Sequence, residues 1–357
     1  MTMSLPQLDP SDSAPSSGDA ASAIVVVAVE GTALTADERA FFETEVPAGV
    51  TLFRRNIAPR FAEVRSLIGE LQATRAAGSP PLVIAVDQEG GRVARLRTPF
   101  PDAGPAYELA GGGHDEGALA FIENYGFALG ATARTLGFNV DFAPCVDVRT
   151  PATNDAIGDR AFGSTPEAVT RRAGAFLEGL QAAGVLGCLK HFPGQGAARE
   201  DTHSHMAVID SSREVLWVRD LAPFQALMAA APMVMVSHCT YAALDTQPAG
   251  RSRAIVEDLL RRELGFDGVV VSDDMNMKAA SLEDTGWQQA IVDDVGASVD
   301  MLLVCRDLDR AKRALEALRG AAERDPRFDT RLSEAARRVA GLRRRLAEPD
   351  HFAARTK

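Results

Sequence analysis

Residues 185–196 read VLGCLKHFPGQG, and the reading of this stretch decides the fold. Its first part, Val185–Lys190, is a short apolar run after Gly184, the length of a strand and too short for a helix. It shows no alternation of polar and apolar residues, so the strand is buried on both faces, as in a parallel sheet. Polarity arrives only at its end, with Lys190 and His191, and Pro193, Gly194 and Gly196 then break the chain direction. A strand that delivers charge at its C-terminal end sets the question of whether other strands do the same.

Working outward, seven further runs have this form: Ile24–Val29, Gly49–Phe53, Leu82–Asp87, Phe138–Ala143, Met233–Ser237, Val269–Ser272 and Met301–Val304. Amphipathic segments lie between them, among them Phe61–Ala76, Pro166–Ala183, Arg213–Ala230 and Ile255–Leu264. Thr35 before Ala-Asp-Glu and Thr165 before Pro-Glu read as N-caps. Strand and helix alternate, which predicts parallel strands with right-handed crossovers. Asp87, Asp141, Lys190, His191, His238, Asp273 and Asp274 fall at or near the C-terminal ends of different strands. That is the face on which a (β/α)8 barrel builds its site. An open sheet would gather its site at one switch point, and the sequence holds no GxGxxG or Walker loop. The expected fold is α/β: a (β/α)8 TIM-type barrel forming a single domain over residues 23–348. A disordered tail is expected over 1–22 and a short C-terminal tail over 349–357. The basic helix near Thr330–Leu346 reads as a solvated helix packed on the barrel.

Of the 357 residues, 46% are hydrophobic and 24% charged, enough apolar material for a full core. The net charge of -11 argues against a nucleic-acid or anionic-membrane surface. Cys145, Cys188, Cys239 and Cys305 are widely spaced and sit in or beside apolar runs, as buried thiols of a reducing compartment do. The first 22 residues carry no Lys or Arg and no apolar core suited to a signal peptide. The expectation is a cytoplasmic monomer that acts on a small molecule.

Four constellations carry chemistry. The densest runs from Lys190 through Gly196 to Asp201, Thr202, His203, Ser204 and His205. Its glycines can bring backbone close to a ligand and can also move. His203 suits acid/base work near neutral pH, and Asp201 two residues earlier can orient it. Ser272-Asp273-Asp274 offers a strand-end carboxylate. Asp274 is also placed to cap the next helix, which leaves Asp273 as the chemical candidate. Asp87-Gln88-Glu89-Gly90-Gly91-Arg92, with Arg95, can hold hydroxyls by charge-assisted hydrogen bonds. Gly158-Asp159-Arg160 is the fourth, and by themselves the last two read equally well as loop scaffolding.

Together, Lys190–Gly196, Asp201–His203, Asp87–Arg92, Ile157–Phe162 and Ser272–Asp274 resemble glycoside hydrolase family 3, in particular its single-domain bacterial β-N-acetylglucosaminidases. The likeness spans about residues 24–345. It implies Asp273 as catalytic nucleophile, His203 with Asp201 as general acid/base, and Asp87, Arg95, Arg160, Lys190 and His191 as holders of the sugar in the −1 subsite. It implies an exo-acting, retaining enzyme that removes terminal β-linked N-acetylglucosamine (GlcNAc), with a muropeptide of the GlcNAc-1,6-anhydro-MurNAc type as substrate in peptidoglycan recycling, and no cofactor or metal. Gln195 departs from the family, which places a second histidine there; His205 and Ile209-Asp210 depart as well.

In the mechanism so implied, Asp273 attacks the anomeric carbon while His203 protonates the leaving oxygen, and water then hydrolyses the glycosyl ester. Phosphate could stand in for water. Two other readings remain open from sequence. One is a metal-dependent barrel hydrolase using Asp201, His203, His205 and Asp273. The other is a non-catalytic sugar-binding barrel, suggested by Gln195.

Overall fold

A computed structural model describes residues 17–347, apart from 98–99, 101–103, 110–115, 154, 199–206 and 278–283. Eight strands close into a barrel: β1 (Val25–Val27), β2 (Gly49–Thr51), β3 (Val83–Val86), β4 (Val140–Asp141), β5 (Leu186–Phe192), β6 (Met233–Val236), β7 (Val269–Asp274) and β8 (Met301–Val304). Each pairs in parallel with its sequence neighbours, and β1 closes on β8. All eight lie within or across the apolar runs above. The reason is the one the sequence offered: β1, β2, β3, β5, β6 and β8 are buried along their whole length. Such strands need helices outside and side chains inside.

The helices start where the capping signals are. Thr35 and Glu38 form a reciprocal capping box on Ala36–Thr44. Thr165 accepts the Ala168 N–H, and Pro166 opens the helix Pro166–Ala182. That helix lies close against Glu116–Leu136, and glycine permits the approach. A Cβ on Gly179 would collide with the Glu123 carbonyl, and one on Gly126 with that of Phe176. The segment expected as one helix over 213–230 is instead broken into Arg213–Val215, a π-turn Leu216–Asp220 and Ala222–Leu227.

Two boundaries differ from expectation. Residues Ser17–Ser22, assigned to the tail, form a helical turn whose Ala20 and Ala21 are buried. The last helix, Pro326–Ala347, is less solvated than its arginines suggested. Arg343 donates to the carbonyls of Pro80 and Pro81 at 2.8 and 2.9 Å, while Arg331 and Arg338 reach the buried Asp300. These contacts fasten the helix under the N-terminal end of the barrel. Among the described residues, no helix is long and apolar enough to cross a membrane.

Candidate active site

A cavity of about 450 Å³ opens at the C-terminal ends of the strands. Asp87, Arg95, Arg160, Lys190, His191 and Asp273 all line it, so four strand-end or loop motifs far apart in sequence meet in one place. Asp201 and His203, the expected acid/base pair, lie outside the described residues, as does His205.

Strand irregularity makes this convergence possible. Neighbouring residues of a regular strand face opposite ways. Between Lys190 and Phe192 the register of β5 against β6 slips by one residue, and Lys190 and His191 both reach the cavity. The same happens in β7, where Val271 pairs with Met301 but Asp274 with Leu303, and Asp273 and Asp274 both line the wall. Such bulges re-aim side chains at barrel rims. Asp274 holds the turn that follows. Its Oδ1 accepts from the Asn276 backbone at 3.0 Å, the Asn276 side chain at 2.9 Å and the Cys305 N–H at 3.3 Å.

The constellation that begins at Asp87 returns over the cavity through a tight reversal. Gln88–Gly90 pairs with Val93–Ala94, and Gly90 and Gly91 take φ of 95° and 56°, where glycine avoids the strain a side chain would bring. Arg92 and Arg95 are thereby brought back to the cavity rim. Arg95 donates to Asp87 at 3.0 Å, and Lys190 Nζ lies 3.2 Å from the other Asp87 oxygen and 2.7 Å from Glu89. Glu89 also takes two bonds from Arg160, at 2.9 and 2.8 Å. Burial pushes the Glu89 and Asp87 carboxyls up. The facing cations outweigh it, Arg160 and Lys190 for Glu89 and Lys190 and Arg95 for Asp87, so both stay ionised.

His191 is oriented from behind. Its Nδ1 is 2.7 Å from Asp147 Oδ2, and its Nε2 is 3.3 Å from the Arg160 guanidinium. Because a guanidinium only donates, Nε2 is the acceptor and the proton sits on Nδ1, pointing at Asp147. The other oxygen of Asp147 accepts the Gln195 N–H at 2.6 Å. Gln195 itself is buried, and its side-chain oxygen accepts the Ser237 hydroxyl at 3.1 Å. Its amide thus occupies a built position just beyond the end of β5. The neighbouring glycines serve packing: Gly194 lies against Asp220 and Gly196 against the Val148 carbonyl, where a side chain would not fit.

Asp273 sits apart from the cations. Its one direct bond among the described residues is from the Asp274 N–H at 2.8 Å. Burial raises its carboxyl, but the surrounding field of His191 and His238, the Asp274 N–H and Lys190 lowers it below the ordinary aspartate range. His238 Nε2 is 3.2 Å from the Asp274 carbonyl, which requires a proton on that nitrogen, and burial lowers its pKa.

Sequence reasoning passed over Asp147, and named Glu89 and His238 without giving either a role of its own. Asp147 had a signal: it is a carboxylate inside the apolar run after β4, six residues beyond Asp141. Cys145, Asp147 and His191 hold the one cluster of three metal-type ligand atoms among the described residues. Their polar atoms are engaged with one another, and none is aimed at Asp273 as a catalytic metal site would need.

A parallel barrel with an ionised carboxylate at the strand ends, beside a ring of paired charges lining one cavity, suits a glycosidase. The comparisons agree. The model of the glycosyl hydrolase family 3 N-terminal domain matches residues 22–342, and the chain belongs to this family. It is 39% identical over 300 residues to a β-hexosaminidase of Stenotrophomonas maltophilia, covering 83% of this chain and 87% of that one. A family 3 β-N-acetylglucosaminidase from Paenibacillus superposes with a TM-score of 0.85 at 33% identity, over 92% of this chain and 62% of the longer Paenibacillus chain. A β-N-acetylhexosaminidase from Beutenbergia cavernae gives 0.84 at 31% identity, over 92% and 98% of the two chains.

Proposed function

We propose that the protein is a retaining exo-β-N-acetylglucosaminidase that hydrolyses terminal β-linked GlcNAc, with a GlcNAc-1,6-anhydro-MurNAc muropeptide of peptidoglycan recycling as its substrate. The observation that carries the reading is the environment of Asp273: half-buried at the end of β7, held ionised, and, among the described residues, paired with no cation that would tie up its lone pairs. Such a carboxylate attacks an anomeric carbon and leaves again as the ester is hydrolysed. Asp87, Arg95, Arg160, Lys190 and His191 hold the −1 sugar by charge-assisted hydrogen bonds. The relatives named as β-N-acetylglucosaminidases support GlcNAc as that sugar.

The acid is His203, oriented by Asp201. Two described histidines near Asp273 support this by elimination: His191 has both ring nitrogens committed, and His238 spends its Nε2 proton on a carbonyl. Neither offers a proton to a leaving group. The reaction proceeds by ionised Asp273 taking the anomeric carbon as His203 gives its proton, then by neutral His203 drawing a proton from water. The cytoplasm is the compartment we assign, because all four cysteines are buried and unpaired.

The test is initial rates on paired aryl β-glycosides of GlcNAc and glucose. Turnover confined to the N-acetyl substrate upholds the reading. A His203→Ala protein should then keep more activity on aryl substrates with good leaving groups than on poor ones, and equal losses on both would remove His203 from the role.

A further inference from the structure

Behind the pocket wall, Cys145 Sγ, Asp147 Oδ2 and His191 Nδ1 all lie within 4.8 Å of one another and all three residues are buried. Protons bridge the gaps between them. The Cys145 thiol donates to Asp147 Oδ2 at 3.2 Å, and the His191 Nδ1–H donates to the same oxygen at 2.7 Å. A carboxylate oxygen flanked by a thiol and an imidazole N–H is the protonated form of a Cys-Asp-His ligand set, and a thiophilic cation replaces such bridging protons. The donors select the ion: Mg²⁺ and Ca²⁺ call for oxygen ligands, whereas thiolate with imidazole suits Zn²⁺. We propose that Cys145, Asp147 and His191 form an inhibitory zinc site whose occupation takes the sugar-binding pocket apart.

The balance of atoms explains the inhibition. Zn²⁺ enters, the thiol proton leaves to solvent, and the Nδ1 proton is lost while Nε2 takes one up. One proton is released in all, and thiolate and carboxylate together match the charge of the ion. The new Nε2–H then faces the Arg160 guanidinium, which in the metal-free form donates to that nitrogen across 3.3 Å. Two donors cannot share that contact. Arg160 is fixed on Glu89 by two bonds, and Glu89 also carries Lys190, so displacing either partner disturbs the wall that receives the sugar. Zinc and substrate are therefore mutually exclusive although they occupy different places, and each must weaken the other by the same factor.

Cys145 touches neither the cavity nor Asp273, and Cys145→Ser keeps a hydroxyl for Asp147. The full-length protein and this variant would be titrated with ZnCl2 while hydrolysis of an aryl β-GlcNAc is followed. The activity arm rests on the proposed function, so a second arm reads the site directly by the thiolate-to-Co(II) absorption band on adding CoCl2. We expect zinc to lower the wild-type rate at least about tenfold, and the serine variant to keep its basal rate and need at least about tenfold more zinc. The cobalt band should appear in the wild type and vanish in the variant. Equal zinc sensitivity of the two proteins overturns the proposal, as does a cobalt band that is absent from the wild type or survives in the variant. A wild-type-only band in a protein without turnover would uphold the site and sink the activity reading.

Discussion

Two aspartates at opposite ends of the barrel show how one side chain serves two ends. Asp300, just before β8, is fully buried and surrounded by Arg261, Arg331 and Arg338, with Val270 N–H on the same carboxylate at 3.0 Å. Asp273, at the end of β7, has no Lys or Arg within ion-pair distance among the described residues, and one backbone N–H for company. Burial pushes both carboxyls up, and both end below the ordinary range because surrounding charge and hydrogen bonds outweigh it. The difference lies in where the cations are. Direct guanidinium contacts saturate Asp300 and anchor Pro326–Ala347 and Arg261 to the barrel floor. A field from a few ångströms further off keeps Asp273 ionised while leaving its lone pairs open. Saturated, such a carboxylate is a rivet; unsaturated, it keeps lone pairs open to the cavity.

Breaking the contrast at its reactive end should give the largest effect. Asp273→Asn is expected to lower kcat by at least about 10⁴-fold while Tm shifts by only about 2 °C, because no ion pair is lost. Turnover near wild type would remove Asp273 from the mechanism. At the other end, Asp300→Asn leaves three arginines facing a neutral amide, and should cost about 3–5 kcal/mol of stability. Denaturant unfolding reads that loss, and kcat per folded molecule should stay close to wild type. A large fall in kcat with unchanged stability would dissolve the comparison.

Two smaller effects sharpen it. Asp147→Asn cannot accept on both oxygens, so either the Gln195 N–H or the His191 proton loses its partner. We expect kcat/KM to fall about 10- to 100-fold, with rescue by Asp147→Glu exceeding that by alanine. A loss no larger than about twofold would reduce Asp147 to packing. Asp141 supplies a third kind of carboxylate. Burial, aided by Asp87 and Glu89, pushes it up to about 8 against the opposing Gln88 N–H and Lys190, and its Oδ2 has no partner. The folded chain holds it protonated where the unfolded chain ionises it. Its contribution to stability is therefore full below about pH 4 and is lost as pH rises to about 8. Asp141→Asn lacks this slope, so the variant's Tm should gain on the wild type between pH 5 and pH 8. Parallel Tm curves over that range would refute the assignment.

Much of the fold was legible because burial on both faces leaves a simple mark. Val185–Leu189 and Met301–Val304 are apolar throughout, and such runs alternating with capped helices leave little choice but a parallel barrel. Part of the cavity wall was legible for a related reason: Asp87, Lys190 and Asp273 are charges at the ends of apolar runs, on the face where a barrel builds its site. Asp147 and Glu89 escaped because their partners, His191 and Arg160, lie 44 and 71 residues away. The role of the Pro326–Ala347 arginines escaped because a basic amphipathic stripe looks the same whether it faces water or a buried Asp300.

The sequence by itself determined the number and order of the strands and the face on which charge collects. These follow from hydrophobic periodicity and from the cost of burying charge, both local properties of the chain. Only the tertiary structure decided which carboxylates are saturated and which are free, that Lys190 and His191 both turn into the cavity, and which nitrogen of His191 holds its proton. Those outcomes depend on register slips of a single residue and on partners brought together by barrel closure. Electrostatic energy in a buried site varies with distance on the scale of one ångström, and sequence spacing carries no such distances.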